Sequence, residues 1–484
     1  MSYYLAAGPL DLAPARTSAL PATATRIACL LLLGFALPAR GAPAENSPQR
    51  TFDVRAHGAR GDGQTLDTAA IQQAIVACGE AGGGRVLLPA GEYLSGTLRL
   101  QSGVELHLAE GARLVGTTEL DAYGGFETEE GTPPLPQSRW HRGLIVGEHL
   151  HDIAFTGAGV IDGNKVFDPR GEEKMRGPHT ILLGHCRGVS LRDLTLRDSA
   201  NYAFFFLHSQ EVRVENATFE GGWDGVHFRG SPDAWNRDVR ITDCRFFTGD
   251  DSIAGHYLED AAVENCTINS SCNGVRLIGP ARRLSFSRCE FYGPGKFEHR
   301  TGGRTNMLAA LCLQPSAWDK QPGPLEDVRA SDLTMRNVSC AFHVVTRPGN
   351  TARRLTFERV RATGVYRAAA SVESWGEPTF DDVVFREVEL QYQGGGAAAD
   401  AQPPVRRPGV DARKLPAWGF YLRGVQGLTL DRVRLTTQEP DQRPVLIADG
   451  VGRLRLHSLQ YTSPPEGVAP LVLKDVRQVD RDDE

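Results

Sequence analysis

The 484-residue chain lacks the features that mark nucleic-acid-binding and membrane-spanning proteins. Its net charge is -6 and its pI is about 6.1, so it has no basic surplus for binding nucleic acid. An apolar run at residues 27–37 is too short to be a stable bilayer anchor. Glycine (53 residues) and proline (29 residues) are plentiful instead, which indicates a chain with many turns.

The apolar run at residues 27–37 is typical of a signal peptide. Arg26 precedes it, and two small-residue sequences after it, Ala39-Arg-Gly41 and Ala42-Pro-Ala44, offer cleavage sites. We therefore expect residues 1–44 to be a signal peptide and leader. The mature chain would then be secreted or periplasmic, with no membrane anchor after processing. The alternative for this run is a buried strand or helix.

From about residue 189 the chain repeats a short pattern, in which apolar and polar residues alternate until a polar pair interrupts them. The first five copies end at Leu194, Ala217, Cys244, Cys266 and Cys289, at steps of 23, 27, 22 and 23 residues. A period in the low twenties without helical periodicity predicts a parallel β-solenoid, with strand, bend and strand in each coil. The Leu/Asn consensus of leucine-rich repeats, which have a similar period, is absent.

Equivalent residues of successive coils should stack in columns. Cys244, Cys266 and Cys289 would then form one inward column, which we expect to consist of packed thiols. A disulfide between adjacent coils is the alternative.

Residues 67–78 predict a helix that covers the open end of the first coil. Apolar residues lie at 71, 75, 76 and 78, Asp67 or Thr68 would cap the helix, and Gly82–Gly84 would end it. Residues 394–412 have the composition of an inserted surface loop, and the segments near 454–461 and 469–473 still have strand character. The sequence therefore predicts one all-β domain over residues 45–484, with an N-terminal cap at about 50–90.

A second strand-like run in each coil carries the candidate site. The aligned runs form two columns: Asp224, Asp251 and Asn273 in one, and His227, Ala254 and Arg276 in the other. Asp250 precedes the first column by one residue. Neighbouring strands lie about 4.8 Å apart, so three carboxyl groups would converge and raise at least one pKa. A lone Asp at a turn usually caps backbone N–H groups, but three together favour acid/base chemistry.

Further residues in these runs and in the loop after them are candidates for substrate binding: Asn201, Trp223, His227, Arg229, Asn273, Arg276 and Arg300. Trp223 and two later tryptophans, Trp318 and Trp375, could stack on sugar rings, although packing explains each of them equally well. Long loops at 124–142, 294–306 and 394–412 could block one end of a cleft and favour action at chain ends.

The chain resembles glycoside hydrolase family 28, the polygalacturonase-like enzymes, within the pectin lyase-like right-handed β-helices. The resemblance covers roughly residues 50–390 and includes Phe52–Gly63, Gly159-Val-Ile-Asp-Gly163 and Asn201-Tyr-Ala-Phe. Gly249-Asp250-Asp251 matches the catalytic Gly-Asp-Asp of the family, and Asp224-Gly225 matches the end of its Asn-Thr-Asp-Gly motif. The resemblance implies a single-stranded right-handed parallel β-helix, with Asp250 as general acid and with Asp224 and Asp251 activating water.

The chain departs from the family pattern at three places. Asn273-Gly274 stands where the family has Gly-His-Gly, and Gly222-Trp223 replaces Asn-Thr in the first motif. The Arg-Ile-Lys motif that holds a substrate carboxylate has no clean counterpart, although Val275-Arg276-Leu-Ile resembles it one coil early. The fold and the hydrolase class carry over better than galacturonate specificity.

The expected activity is inverting hydrolysis of a pectin-like or other uronic-acid-containing polysaccharide or oligosaccharide, by a monomer without cofactor or metal. Inverting enzymes hold acid and base about 6.5–9.5 Å apart, which splayed carboxylates on adjacent coils could reach. Neighbouring charges would raise the pKa of Asp250. One alternative is a polysaccharide lyase, using a base such as Arg276, Arg300 or Lys296, with calcium on the Asp cluster. The other is a non-catalytic carbohydrate-binding β-helix.

Overall fold

A computed structural model describes residues 50–126, 142–317, 320–402, 405–409 and 411–482. The predicted leader, Trp318 and most of the 124–142 loop lie outside these residues. The predicted parallel β-helix is confirmed, because every pairing between strands is parallel within two large sheets. No helix among the described residues is both long and apolar enough to cross a membrane.

The smaller sheet has 13 strands and carries the candidate site. Its strands are Leu98–Arg99, Gly143–Glu148, His179–Gly184, Phe204–Leu207, Val226–Arg229, Ile253–His256, Asn273–Leu277, Ala309–Leu313, Phe342–Thr346, Ala370–Ser374, Phe420–Arg423, Leu446–Asp449 and Leu471–Lys474. Alternate residues of each strand point into the β-helix or away from it. We call the side that points away the outward face of the small sheet.

The larger sheet has 25 strands, and most coils contribute two of them. Its strands are Thr51–Asp53, Asp62–Leu66, Gly84–Leu88, Gly91–Ser95, Val104–Leu108, Ala112–Gly116, His151–Thr156, Val160–Asp162, Arg187–Arg192, Thr195–Arg197, Gln210–Glu215, Thr218–Gly221, Asn236–Thr242, Arg245–Thr248, Leu258–Glu264, Thr267–Ser270, Ala281–Ser287, Glu290–Tyr292, Gly323–Arg336, Asn350–Val365, Phe380–Gly394, Gly427–Glu439, Arg453–His457, Gln460–Tyr461 and Gln478–Arg481. The strands predicted near 454–461 and 469–473 are thus confirmed.

The predicted bend within each repeat is a single residue in the left-handed conformation. Asp193, Asn216 and Asp243 occupy it in successive coils, with φ of 66°, 50° and 57°. Asn and Asp tolerate this conformation better than other side chains with a Cβ. The polar pair that interrupts each repeat therefore turns the chain between two strands of the larger sheet.

Columns of stacked side chains fill the interior of the β-helix. Phe219 and Phe246 stack with ring centroids 4.7 Å apart, and Phe357 and Phe385 stack at 4.6 Å. Each such side chain contributes about 1.5–3 kcal/mol by burial. The predicted column of Cys244, Cys266 and Cys289 is also buried, and all three are free thiols. The prediction of packed thiols is therefore confirmed for this column, and the alternative of a disulfide is wrong.

The capping helix spans Thr68–Glu80 and buries Ile71, Ala74, Ile75 and Cys78. Ala74 lies on the buried face, whereas Val76, which the pattern placed there, is only half-buried. Asp67 precedes the helix, but its carboxylate accepts hydrogen bonds from the Arg60 and Gly61 N–H groups at 2.7 and 2.9 Å. It therefore fixes the preceding loop and does not cap the helix. Within the described residues, four short 3-10 helices lie in the connections, at Val54–His57, Leu120–Ala122, Glu172–Lys174 and Ala398–Ala401.

Candidate active site

Strand register brings the predicted columns together on the outward face of the small sheet. His227 is paired with Ala254, and Ala254 with Arg276, as the alignment of the repeats predicts. Arg229 lies two residues beyond His227 on the same face and pairs with His256 of the next coil. The register therefore confirms the second predicted column.

The acidic column lies just ahead of these strands. The N–H of Gly225 donates to the Asp251 carbonyl at 3.1 Å, and the N–H of Ser252 donates to the Asn273 carbonyl at 3.0 Å. Asp224, Asp251 and Asn273 therefore occupy the same position in three successive coils. Asp224 and Asp251 are 4% exposed and Asn273 is fully buried.

Glycine is required just before the acidic pair. A Cβ on Gly249 would lie 2.4 Å from the carbonyl oxygen of Gly222 in the preceding coil, closer than any Cβ contact in a real protein. Gly222 itself has a φ of +65°, which a residue with a Cβ adopts only with strain. The close approach of these two turns brings Asp250 towards the coil that carries Asp224.

Asp250 contacts two nitrogen donors. Arg176 Nη2 donates to Oδ2 at 3.2 Å, and His299 Nε2 lies 3.6 Å from Oδ1. The N–H of Gly302 donates to His299 Nδ1 at 3.0 Å, so the ring proton resides on Nε2 and faces Asp250. Both contacts favour an ionised Asp250.

Asp251 is surrounded by donors from the next coil. Its Oδ1 accepts from the backbone N–H and the side-chain amide of Asn273 at 3.0 and 2.8 Å. Its Oδ2 accepts from Arg276 Nη1 at 3.2 Å. Asn273 and Arg276 thus support an acid and are not free to meet a substrate through these groups.

Among the described residues, the side chain that hydrogen-bonds to Asp224 is a neutral histidine. Its Oδ2 lies 2.7 Å from His227 Nδ1, and Arg229 Nε, which can only donate, lies 3.3 Å from His227 Nε2. Nδ1 therefore carries the ring proton, and this N–H donates a hydrogen bond to Asp224. Burial, and then the charge of Arg229, lower the pKa of His227 well below its usual value, which keeps the ring neutral. Tyr202 stacks on this ring at 3.8 Å and with an interplanar angle of 3°.

The partners of the acids push their pKa values apart. Burial, and then the charges of Asp250 and Asp251, raise the pKa of Asp224 well above its ordinary value. Burial also acts to raise the pKa of Asp250, but the hydrogen bond from His299 and the charge of Arg176 outweigh it and lower that pKa. The prediction that one acid has a raised pKa is confirmed, but its assignment to Asp250 is wrong. Among the described residues no arginine donates a hydrogen bond to Asp224, whereas Asp250 and Asp251 each accept one, so Asp224 is the acid of the three that holds a proton most readily.

Two important residues, Arg176 and His299, gave no signal in the sequence. Arg176 is 7% exposed and lies in the connection between Val160–Asp162 and His179–Gly184, outside any repeat. His299 is also 7% exposed and lies in the 294–306 loop, which does not follow the repeat. Only the folded chain brings these two connections against the acids. His299 places an imidazole N–H beside Asp250, although the repeat position at 273 has no histidine.

Four predicted substrate-binding residues lie away from the cavity surface, and Asn273, which is fully buried against Asp251, is one of them. Trp223 is fully buried, and the Arg176 guanidinium lies 3.7 Å above its ring, so its prediction as a surface for stacking sugars is wrong. Asn201 is 2% exposed and accepts from Arg176 Nη1 at 3.5 Å, which makes it a support for that arginine. Arg300 is half-buried beside Trp223 and does not line the cavity.

The acids line a cavity of about 240 Å³ on the outward face of the small sheet. Its lining consists of Glu172, Glu173, Arg176, Tyr202, Asp224, His227, Arg229, Asp250, Asp251, Ala254, Cys272, Arg276, Ile278, His299, Arg304 and Asp411. Ion pairs hold Arg176 and Arg276 against acids. Among the described residues, Arg229 and Arg304 line this cavity without a carboxylate partner, so they are the cations available to an anionic ligand.

Two groups in the cavity have the composition of a metal site. One oxygen from each of Asp224, Asp250 and Asp251 lies within 4.8 Å of the others, and the same spacing relates Asp250, Cys272 and His299. The second group is poorly suited to a metal ion, because the proton on His299 Nε2 faces Asp250. In the first group, arginines already neutralise two of the acids.

Two family models match parts of the chain. One describes a right-handed β-helix region and matches residues 179–297, and the other describes rhamnogalacturonase A/epimerase, pectate lyase-like proteins and matches residues 51–116. Together with the strand pairing, the first match confirms the predicted right-handed parallel β-helix.

Curated relatives include enzymes that act on uronic-acid polymers. An exo-poly-alpha-D-galacturonosidase of Dickeya chrysanthemi is 29% identical over 258 residues, covering 42% of this chain and 41% of that protein. A probable polygalacturonase of Vitis vinifera is 28% identical over 312 residues, covering 60% and 55%. Alginate lyase 7 of Azotobacter vinelandii is 31% identical over 189 residues, covering 36% and 20%. The chain thus spans about half or less of the length of these relatives.

Solved structures share the fold at lower identity. A family 28 exopolygalacturonase of Yersinia enterocolitica superposes with a TM-score of 0.55 and 17% identity, over 89% of this chain and 78% of that one. The surface adhesin PfbA of Streptococcus pneumoniae gives a TM-score of 0.51 and 15% identity, over 89% and 93%. At such identities the likeness establishes the fold alone. The β-helix scaffold thus serves both enzymes and an adhesin.

Proposed function

Since this chain is a divergent member of the pectin lyase-like right-handed β-helix superfamily, with polygalacturonases among its relatives, we propose that it is a glycoside hydrolase. The observation that supports this most strongly is the cluster of three buried carboxyl groups, Asp224, Asp250 and Asp251, with opposite pKa shifts on Asp224 and Asp250. Acid/base hydrolysis needs a proton donor and a carboxylate in one site, and such divergent shifts supply both.

We further propose that the substrate is a pectin-like or other uronic-acid-containing glycan. Arg229 and Arg304 line the cavity, and neither has a carboxylate partner among the described residues. A guanidinium without such a partner can bind a uronate carboxylate through two parallel hydrogen bonds. Arg229 is held in place by His227 and by the Tyr202 hydroxyl at 3.4 Å. In the family, an Arg-Ile-Lys motif holds the substrate carboxylate. This chain has no clean counterpart of that motif, and in our proposal these two arginines bind the carboxylate instead.

The cluster is suited to holding one water molecule. Carboxylate oxygens within 4.8 Å of one another are close enough for a single water to bond both at about 2.8 Å. The 4.8 Å limit applies to one oxygen of each acid, so the separation of about 6.5–9.5 Å between acid and base stays a prediction. We propose that the Asp224 and Asp251 pair holds the attacking water.

The shared proton then takes a short path. It rests on Asp224 in the free site, and we propose that it passes to Asp250 when substrate displaces the remaining solvent around that carboxylate. Asp250 donates it to the glycosidic oxygen as the bond to the anomeric carbon breaks. Asp224, now ionised, and Asp251 accept the proton of the attacking water, so the site again holds one proton after product release.

A product assay tests the activity. The chain lacking residues 1–44 would be incubated with homogalacturonan, rhamnogalacturonan and neutral glycans, beside Asp250→Asn, with anomeric configuration followed by NMR. We expect saturated, inverted product from a uronic-acid polymer, and none from the variant. Unsaturated product would show that the protein is a lyase and not a hydrolase. Binding without turnover would indicate a non-catalytic, adhesin-like role. The ion pair that holds Arg276 on Asp251 disfavours its use as a lyase base.

An activated substrate distinguishes the acid from the base. An aryl uronide with a good leaving group needs little protonation, so loss of the acid should cost less on it than on the natural linkage. We expect Asp250→Asn to recover much of its activity on this substrate and Asp224→Asn to recover little. The reverse pattern would show that Asp224 itself is the donor and that no transfer to Asp250 occurs.

A further inference from the structure

Two connections that lie far apart in the chain contribute to the lining of the cavity. Glu172 and Glu173 belong to the connection that precedes His179–Gly184, and Arg176 Nη2 holds Glu173 at 2.7 Å. Asp411 lines the cavity from a segment that lies much later in the chain, between Phe380–Gly394 and Phe420–Arg423.

The segment that carries Asp411 is bound to the small sheet by a buried ion pair. Arg413 donates from Nη1 and Nη2 to the two carboxylate oxygens of Glu373, at 2.9 and 2.7 Å. Glu373 is fully buried, and the indole N–H of Trp375 also donates to it at 2.9 Å. A carboxylate so deep in the protein requires such partners, because an unpaired charge there is very unfavourable.

Apolar contacts continue this attachment on both sides of Arg413. Ala412 is 3% exposed and packs in a cluster with Cys312 and Cys340. Leu415 is 2% exposed and packs in another with Tyr421 and Ile447. We call residues 411–417 the strap.

The strap extends from the ion pair between Glu373 and Arg413 towards the acidic residues of the cavity. Glu373 lies on Ala370–Ser374, which is three strands from Asn273–Leu277 in the small sheet. Three steps of about 4.8 Å separate these strands by roughly 14 Å. Ala412 packs near Ala309–Leu313 on the way, and Asp411 ends at the cavity.

We infer that the strap, held by Glu373 and Arg413, closes one side of the cavity and confines the site to the end of a glycan chain. This inference rests on the proposed hydrolase function and adds its mode of action. A polymer cut in its interior must leave a site in two directions, and the two connections that line this cavity would prevent this. A cavity of about 240 Å³ is also smaller than the roughly 300–1,000 Å³ of pockets that enclose drug-sized ligands. A cavity of this size suits the end of a glycan chain.

Arg413→Ala tests the inference, with Lys414→Ala as its matched control. Lys414 is the adjacent cation of the strap and is exposed, whereas Arg413 is half-buried on Glu373. The double variant Glu373→Gln/Arg413→Gln removes both charges without leaving one unpaired, which guards against a variant that fails to fold. Thermal unfolding of all three would show whether the β-helix is retained.

The first measurement is the ratio of viscosity loss to reducing ends released from a soluble uronic-acid polymer. The wild type and Lys414→Ala should release ends with little loss of viscosity and yield short products. Arg413→Ala and the double variant should lower viscosity at least about tenfold more per end released and yield longer oligomers. Interior cleavage by the wild type, or an unchanged product pattern in a variant whose strap is released, would overturn the inference.

The second measurement is hydrogen exchange of residues 411–417, which needs no substrate. We expect faster exchange in Arg413→Ala and the double variant than in the wild type and Lys414→Ala. Equal exchange in all four proteins would show that the ion pair does not hold the strap, and would refute the inference. If the strap is anchored but no glycan is hydrolysed, the proposed function fails and the mode of action fails with it.

Discussion

The two sheets of this β-helix carry the same kind of ion pair in opposite surroundings. On the larger sheet, Arg283 donates to both carboxylate oxygens of Asp260 at 2.6 and 2.9 Å, and both side chains are nearly half exposed. On the small sheet, Arg276 contacts Asp251 at 3.2 Å, and both side chains are under 10% exposed. Each pair joins successive coils. The exposed pair is screened by water, whereas the buried pair is not.

The comparison shows that coil spacing alone does not create a reactive site. Parallel stacking brings charged residues near one another on every face of a β-helix. Where water reaches them, the hydrogen bonds from Arg283 simply lower the pKa of Asp260. Where connections such as those of Arg176 and His299 cover them, burial and unequal pairing push the pKa values of Asp224 and Asp250 in opposite directions.

The largest expected effect is on activity. Asp250→Asn should lower kcat on the natural glycan by about 10²–10⁴-fold, because it removes the proposed proton donor. The same substitution on the exposed sheet, Asp260→Asn, should leave kcat unchanged. The measurement is initial rate at saturating substrate, with circular dichroism as the check of folding. Comparable losses of kcat in the two variants would show that the buried acid is no more important for activity than the exposed one.

Arg176→Gln should have the next largest effect, on stability. It leaves Asp250 buried beside Glu173 without its arginine, and breaking a buried pair in this way typically costs about 3–5 kcal/mol. The free energy of unfolding from urea denaturation measures this cost. A loss below about 1 kcal/mol would mean that solvent reaches these acids and that the cavity is not dry.

Asp224→Asn should stabilise the protein at neutral pH, by about 0.5–2 kcal/mol. The pKa of Asp224 is raised in the folded state, so its contribution to stability is complete below the unfolded value of about 3.9 and is lost as pH rises through the raised value. The amide does not ionise, so its advantage should grow as pH rises from about 3.9 and should be complete above the raised pKa. The difference in melting temperature between variant and wild type, followed from pH 3 to pH 8, measures it.

Asp250→Asn should behave in the opposite way. The pKa of Asp250 is lowered, so this carboxylate stabilises the fold above about pH 3.9, and that stability is lost as pH falls towards the lowered value. Its amide variant should therefore be less stable than the wild type at neutral pH. If both amide variants shift the melting temperature in the same direction, the assignment of the proton to Asp224 is wrong.

The smallest effect should come from Arg187→Gln on the larger sheet. Its pair with Glu211 of the next coil, at 2.7 Å, is exposed, so the free energy of unfolding should fall by only a small fraction of the loss expected for the buried pair. The loss should also shrink further at high salt, since salt screens exposed charges. Urea denaturation at low and high salt measures both, and a loss as large as that of Arg176→Gln would contradict the comparison.

The sequence by itself determined the repeat, the parallel β-helix and the columns that hold Asp224, Asp251 and Asn273. These follow from local alternation and a fixed period, because each strand pairs with the strand one period later. It determined which carboxyl groups meet, but not which one keeps the proton.

Only the tertiary structure decided the charge state and the limits of the cavity. Arg176, His299 and Arg413 lie in connections without a period, so no local pattern places them. Each contacts an acid that lies tens of residues away in the sequence: Arg176 and His299 contact Asp250, and Arg413 contacts Glu373. Burial and unequal pairing depend on these long-range contacts, which is why the raised pKa lies on Asp224, and not on Asp250 as the motif implied.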